Sequence, residues 1–124
     1  MAKGIGTDIV DIGRVASVLE RQGDKFIQRV LTTAEQQEFN RLNKNIAFLA
    51  KRFAAKEAIA KALGTGIGHG VSFQDMNVIN NAKGAPSVEL CGGAAEVMNS
   101  LGATEVLLSL ADETNYAIAY VILN

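Results

Sequence analysis

Two carboxylates stand where the surrounding pattern leaves little room for charge. Asp8 lies in an alternating stretch in which Ile5, Thr7 and Ile9 take one side and Gly4, Gly6, Asp8 and Val10 the other. Alternation of this kind marks a β-strand, and its glycine face leaves room around the single carboxylate of Asp8. Glu57 belongs to a long helical run in which Ile46, Phe48, Leu49, Phe53, Ile59, Ala60 and Leu63 define one apolar arc at about 100° per residue. It falls at the edge of that arc, between Phe53 and Ala50, whereas Lys56 falls near the centre. A charge at Lys56 needs a partner, because desolvating it alone costs several kcal/mol. A structural ion pair or a snorkelling stem would serve. Glu57 and Lys61 are four residues apart, which also allows a simple surface pair.

A strand carboxylate and a helix carboxylate are the ligand types that a hard cation such as magnesium prefers. Magnesium keeps several waters and takes substrate phosphate oxygens beside one or two carboxylates, so such a site suits phosphate chemistry. Spacing alone does not pair Asp8 with Glu57. Other signals are weaker. The loop Gly64–Gly70 lacks the Gly-Lys-Ser/Thr ending of a nucleotide P-loop and follows a helix instead of opening one. Its glycines fit a flexible connection or a close backbone approach to a ligand. His69 has no neighbouring Cys or second His, and Cys91 reads as a packing residue, not a nucleophile.

The elements that must position these groups follow from caps and periodicity. Asp11 can cap a helix that carries Val15, Val18 and Leu19 inward and ends at Gly23. A short helix follows Asp24, with Phe26, Ile27 and Val30 as its apolar face. Thr33 with Gln36 is a capping-box pattern opening a third helix. Asn45 can cap the longest helix, which runs to Leu63 and stops at Gly64. Phe73–Ile79 and Ser87–Leu90 read as strands around the turn Gly84-Ala85-Pro86. Gly92–Leu101 is a short helix. Glu105–Asp112 and Tyr116–Leu123 read as a hairpin of central strands. The expected fold is α/β (α+β), one small domain over residues 1–124, with a largely antiparallel sheet and helices concentrated in the first half.

Composition narrows the class. At 124 residues, 48% hydrophobic and 20% charged, the chain is expected to fold as one globular domain. No run approaches the roughly 20 apolar residues of a membrane span, and the N-terminus does not read as a signal peptide. A lone cysteine fits a reducing compartment, and the expected location is the cytoplasm. The net charge of −1 hides a polarity. Ten Lys or Arg face five Asp or Glu between Arg14 and Lys61, whereas from Ala62 onward Lys83 alone faces six acidic residues. A basic half suggests a phosphate-bearing ligand or an acidic partner, and solvated helices would explain it equally.

Gly6-Thr-Asp8-Ile9, followed by Asp11 and Arg14, resembles the first signature of the phosphopantetheinyl transferase family. Arg52-Phe-Ala-Ala-Lys56-Glu57-Ala58 with Lys61 and Gly64 resembles its second. Gly64-Thr-Gly-Ile, Val71-Ser-Phe and Gly84-Ala-Pro86 are similar to its acyl-carrier-protein synthase subgroup. The likeness runs in order through nearly the whole chain. It implies transfer of phosphopantetheine from coenzyme A to a serine of apo acyl carrier protein, for fatty acid synthesis.

The resemblance also implies roles. Asp8 and Glu57 would hold magnesium, and with Lys61 they would form the catalytic set. Lys61 would neutralise the coenzyme A pyrophosphate, and Lys44 and Arg52 would meet the nucleotide end. Gly64, Thr65, Gly66 and Pro86 would line the coenzyme cleft. Arg14, Arg21 and Lys25, spaced seven and four apart as one face of the first helix, would dock the carrier protein. The serine proton would pass to Glu57 or to a metal-bound water. Homotrimers with active sites between subunits are expected, without nucleic acid or membrane as partner. Two departures stand out: Asp112 occupies a position where many relatives carry a histidine, and Ala85 one where they carry a lysine. The rival reading is a non-catalytic basic module binding nucleotides or RNA, which the charge supports but the absence of an aromatic-basic motif does not.

Overall fold

The strand and the long helix that carry the two carboxylates meet along a seam of small residues. In the computed structural model, which describes residues 1–124, strand β1 (Gly4–Asp11) lies against helix α4 (Ile46–Leu63). A Cβ built at Gly6 would collide with the carbonyl oxygen of Ala58, and one at Gly4 with that of Ala62. The glycine face of β1 therefore makes room for the helix backbone. Helix α4 buries 12 of its 18 residues, so it is not a helix with one apolar arc but a core helix covered on most sides.

Helix α1 (Ile12–Gln22) packs on α4, and α2 (Asp24–Val30) and α3 (Thr33–Arg41) reach its first half through the ring pairs Phe26–Phe53 and Phe39–Phe48. Their cluster holds Val15, Phe26, Val30, Leu31, Phe39, Phe48 and Phe73. Asp11 caps α1 by accepting from the Arg14 N–H, and Asn45 caps α4 by accepting from that of Phe48. The capping box of α3 lies one residue earlier than the sequence suggests: Thr32 and Glu35 form it, not Thr33 and Gln36. Chain direction changes at Gly23, whose φ of 59° is left-handed. Lys25 consequently lies on α2, and the helical spacing that aligned it with Arg14 and Arg21 does not apply.

The second half of α4 packs on an antiparallel sheet of β1, β5 (Tyr116–Leu123) and β4 (Val106–Asp112), in the order β1-β5-β4. Only β5 of the predicted central hairpin is central; β4 is an edge. A second, two-stranded antiparallel sheet joins β2 (Met76–Asn80) to β3 (Pro86–Leu90). Phe73–Asp75, predicted as strand, is a turn of 3-10 helix. Helix α5 (Gly92–Ser100) completes the order. Cys91 precedes it and is exposed, not packed. The outer face of the three-stranded sheet leaves Ile5, Ile9, Leu107, Tyr116, Ile118 and Tyr120 exposed at 43–63%. No helix is long and apolar enough to cross a membrane.

Candidate active site

The seam of glycines and alanines brings Asp8, Glu57 and Lys61 to one place. Asp8 and Glu57 line a cavity of about 380 Å³ together with Asp11, Arg14, Phe26 and Phe53. Lys61 lies one turn beyond Glu57, and its Nζ donates to Asp8 Oδ1 at 2.8 Å and to the Thr7 carbonyl at 3.0 Å. The cation four residues from Glu57 is therefore paired across the seam with the strand carboxylate, not along its own helix. Burial pushes the Glu57 carboxyl above the ordinary carboxylate range, and the Asp8 charge pushes it further in the same direction. Lys61 and Arg29 pull it back by a smaller amount.

Of the three carboxylates lining this cavity, Asp11 is engaged as the cap of α1; Asp8 and the partly desolvated Glu57 are a pair of like charges that a cation would relieve. No cluster of three or more His, Cys, Asp or Glu side chains that could hold a metal forms in the structure; the donors to be tested against a metal are Asp8, with one oxygen already engaged by Lys61, and Glu57. That donor set fits magnesium, whose remaining positions are commonly filled by water and phosphate oxygens.

Lys56 has a different fate. It is fully buried, and its Nζ donates to Glu35 Oε1 at 2.6 Å, to the Val30 carbonyl at 2.6 Å and to the Phe73 carbonyl at 3.1 Å. Glu35 also accepts from the backbone N–H groups of Thr32 and Val78. Burial pushes the Lys56 ammonium below the ordinary lysine range, against the pull of Glu35. The structural ion pair is the correct account of this lysine. It ties α2, α3, β2 and the segment at Phe73 to α4, immediately before Glu57. Sequence reasoning missed Glu35, although a buried lysine on α4 required such a partner somewhere.

The remaining candidates divide. Arg52 is buried, with its guanidinium 4.5 Å from the centre of the Phe48 ring and its Nε without a hydrogen-bond partner. It lines a cavity of about 350 Å³ with Pro86, Gly84, Asn80 and Lys51. Lys51 was not anticipated; its position next to Arg52 was the available signal. Lys44 opens onto a separate cavity bordered by Leu19, Asp24 and Gln36, so the structure does not bring it together with Arg52. Gly64 ends α4 in a left-handed conformation, and the N–H groups of Gly64, Thr65 and Gly66 bond back to the carbonyls of Lys61 and Ala60. Those three N–H groups are thus engaged in closing the helix. Arg14 faces the carboxylate cavity, whereas Arg21 and Lys25 are exposed on α1 and α2.

Residues 4–121 match the 4'-phosphopantetheinyl transferase superfamily. The chain is 53% identical over 120 residues to a holo-[acyl-carrier-protein] synthase of Shewanella amazonensis, covering 97% of this chain and 96% of that protein. Its fold is similar to the crystal structure of the Neisseria meningitidis holo-[acyl-carrier-protein] synthase, with TM-score 0.92 and 41% identity, covering 100% and 99% of the two chains. The Helicobacter pylori enzyme of that name, in complex with coenzyme A, is similar at TM-score 0.86 and 32% identity, covering 97% and 99%.

Proposed function

The chain belongs to the 4'-phosphopantetheinyl transferase superfamily, and we propose that it acts there as a holo-acyl-carrier-protein synthase, with residues 1–124 as one catalytic domain. It moves phosphopantetheine from coenzyme A to a serine of apo acyl carrier protein, and the product serves fatty acid synthesis in the cytoplasm. The observation that carries this reading is the meeting of Asp8, Glu57 and Lys61 across the β1–α4 seam. The rival nucleotide- or RNA-binding module has no support from the relatives, which are named for the transfer reaction.

The serine hydroxyl attacks the β-phosphorus of coenzyme A. The bond from that phosphorus to the bridging oxygen breaks, and adenosine 3',5'-bisphosphate leaves with that oxygen. Glu57, which lines the same cavity as Asp8, takes the serine proton. Lys61, held by the Thr7 carbonyl and Asp8 but still half-exposed, neutralises charge on the leaving side. Asp8 and Glu57 would hold magnesium, which when bound supplies charge neutralisation to the pyrophosphate oxygens. Arg52 and Pro86 border the nucleotide end, and Gly64, Thr65 and Gly66 shape the cleft beyond Lys61; Lys44, which opens onto a separate cavity, takes no part in this arrangement. Arg14, Arg21 and Lys25 form a basic approach for an acidic carrier, spread over two helices.

Self-association into a homotrimer is part of the same reading. The exposed apolar row on the outer sheet face supports it, since contiguous apolar surface of this kind marks an interaction site. The deciding experiment is the intact mass of an apo carrier protein after incubation with this protein, coenzyme A and magnesium. A gain equal to one phosphopantetheine group, dependent on coenzyme A, is expected. An unchanged mass at stoichiometric enzyme refutes the assignment.

A further inference from the structure

Lys51 and Arg52 are consecutive on α4, yet they meet the cavity beside Pro86 in different ways. Arg52 is 4% exposed, stacked on Phe48, and has an unpartnered Nε. Lys51 is at the rim, with its Nζ 3.0 Å from Asp112 Oδ1. Asp112 ends β4 and does not line the cavity itself, so it holds the lysine from the sheet side. A pair this exposed adds little to stability. Its consequence is positional: it restricts a flexible four-carbon stem to conformers that keep the ammonium near the cavity mouth. Glu38, the carboxylate that does line the cavity, is already engaged by two hydrogen bonds from Arg41.

Given the coenzyme A reading above, on which this rests, we infer that Lys51, positioned by Asp112, is a specificity-determining contact for the ribose phosphate of the nucleotide end. A phosphate monoester carries close to two negative charges at neutral pH and three acceptor oxygens. One guanidinium engages two oxygens in a fork. The third oxygen and the second charge call for a separate point cation, which is what a lysine ammonium supplies. Arg52 provides direction from the buried wall, and Lys51 provides the second charge from the rim. Asp112, which as an anion cannot contact the phosphate, acts on it through the lysine and is a positioning residue.

The test compares coenzyme A with 3'-dephospho-coenzyme A, which lacks only the phosphate in question, in steady-state transfer to the carrier protein. Lys51→Met should lower kcat/KM for coenzyme A about tenfold, mainly through KM, the scale of one lost charge-assisted hydrogen bond. For the dephospho substrate the fall should stay under about twofold, because the group that Lys51 contacts is missing. Asp112→Asn should show the same substrate-selective rise in KM at about threefold, and Lys51→Arg should retain most of the preference. Melting temperatures should remain near wild type throughout, as for other exposed pairs. Equal losses on both substrates, or no loss on either, overturn the assignment of Lys51. A selective loss in Lys51→Met with none in Asp112→Asn overturns the positioning role of Asp112. Wild-type protein in the same assay separates these failures from a failure of the activity itself: no transfer with either substrate would refute the transferase reading instead.

Discussion

Replacing Glu35 by alanine should be among the most damaging single changes in this chain, although Glu35 lies outside the cluster of Asp8, Glu57 and Lys61. Its side chain is 1% exposed and that of Lys56 is fully buried. Glu35→Ala strands the Lys56 ammonium and the N–H groups of Thr32 and Val78, and it dismantles the capping box of α3. Removing one member of a buried pair typically costs about 3–5 kcal/mol, because the other charge is left uncompensated. Against a total stability of roughly 5–15 kcal/mol for a domain, that is a large share. At about 3–5 °C per kcal/mol for a chain of this size, the melting temperature should fall by roughly 10–20 °C. Urea unfolding of wild type and variant at one fixed protein concentration gives the difference in free energy, with self-association compared at the same protomer concentration. The double variant Glu35→Leu with Lys56→Met removes both charges and should recover part of the loss, since apolar replacement of a whole buried pair is often tolerated. A loss below about 1 kcal/mol in Glu35→Ala, the scale of an exposed ion pair, would refute the reasoning. So would a double variant less stable than Glu35→Ala.

Four further outcomes are expected. Asp8→Ala and Glu57→Ala should each lower the transfer rate at least about 100-fold while the far-UV circular dichroism spectrum stays native, because each removes a charge that acts in the transition state; near-wild-type turnover at limiting magnesium would exclude that residue from the metal site. Gly6→Ala places a Cβ against the Ala58 carbonyl, so it should force β1 away from α4 and depress both stability and transfer, whereas an active, fully stable variant would show that the close approach is dispensable. The raised Glu57 carboxyl makes folding bind a proton, so without metal the native state loses stability as pH rises from the ordinary carboxylate range through that raised value. Glu57→Gln should then melt above wild type at about pH 8 and converge with it near pH 4; the opposite order at high pH would mean that the ionised carboxylate is a stabilising partner. Arg21→Glu should raise KM for the carrier protein, more at low salt than at high, with little change in KM for coenzyme A, and parallel changes in both constants would remove Arg21 from the docking surface.

Much of the local structure was legible because its causes are local. Asp11, Asn45 and Gly64 mark helix ends through bonds that span three or four residues, and the alternation of Gly4–Val10 already separates the two faces of β1. The candidates Asp8, Glu57 and Lys61 could be chosen from residue type, period and family resemblance. What bound them together was not legible. Lys61 had two carboxylates in reach by different routes, one along its helix and one across 53 positions of chain, and only the glycine-alanine seam decides for Asp8. Periodicity could say that Lys56 lies on an apolar arc, but not that α4 is covered on several sides or that Glu35 supplies the counter-charge. The division into two sheets, the edge position of β4 and the Lys51–Asp112 contact are equally non-local. Caps and periods are short-range steric and hydrogen-bonding preferences that each segment carries with it. Pairing of charges and strands depends on which distant surfaces can approach closely enough to exclude water, and that is settled only when the whole chain packs.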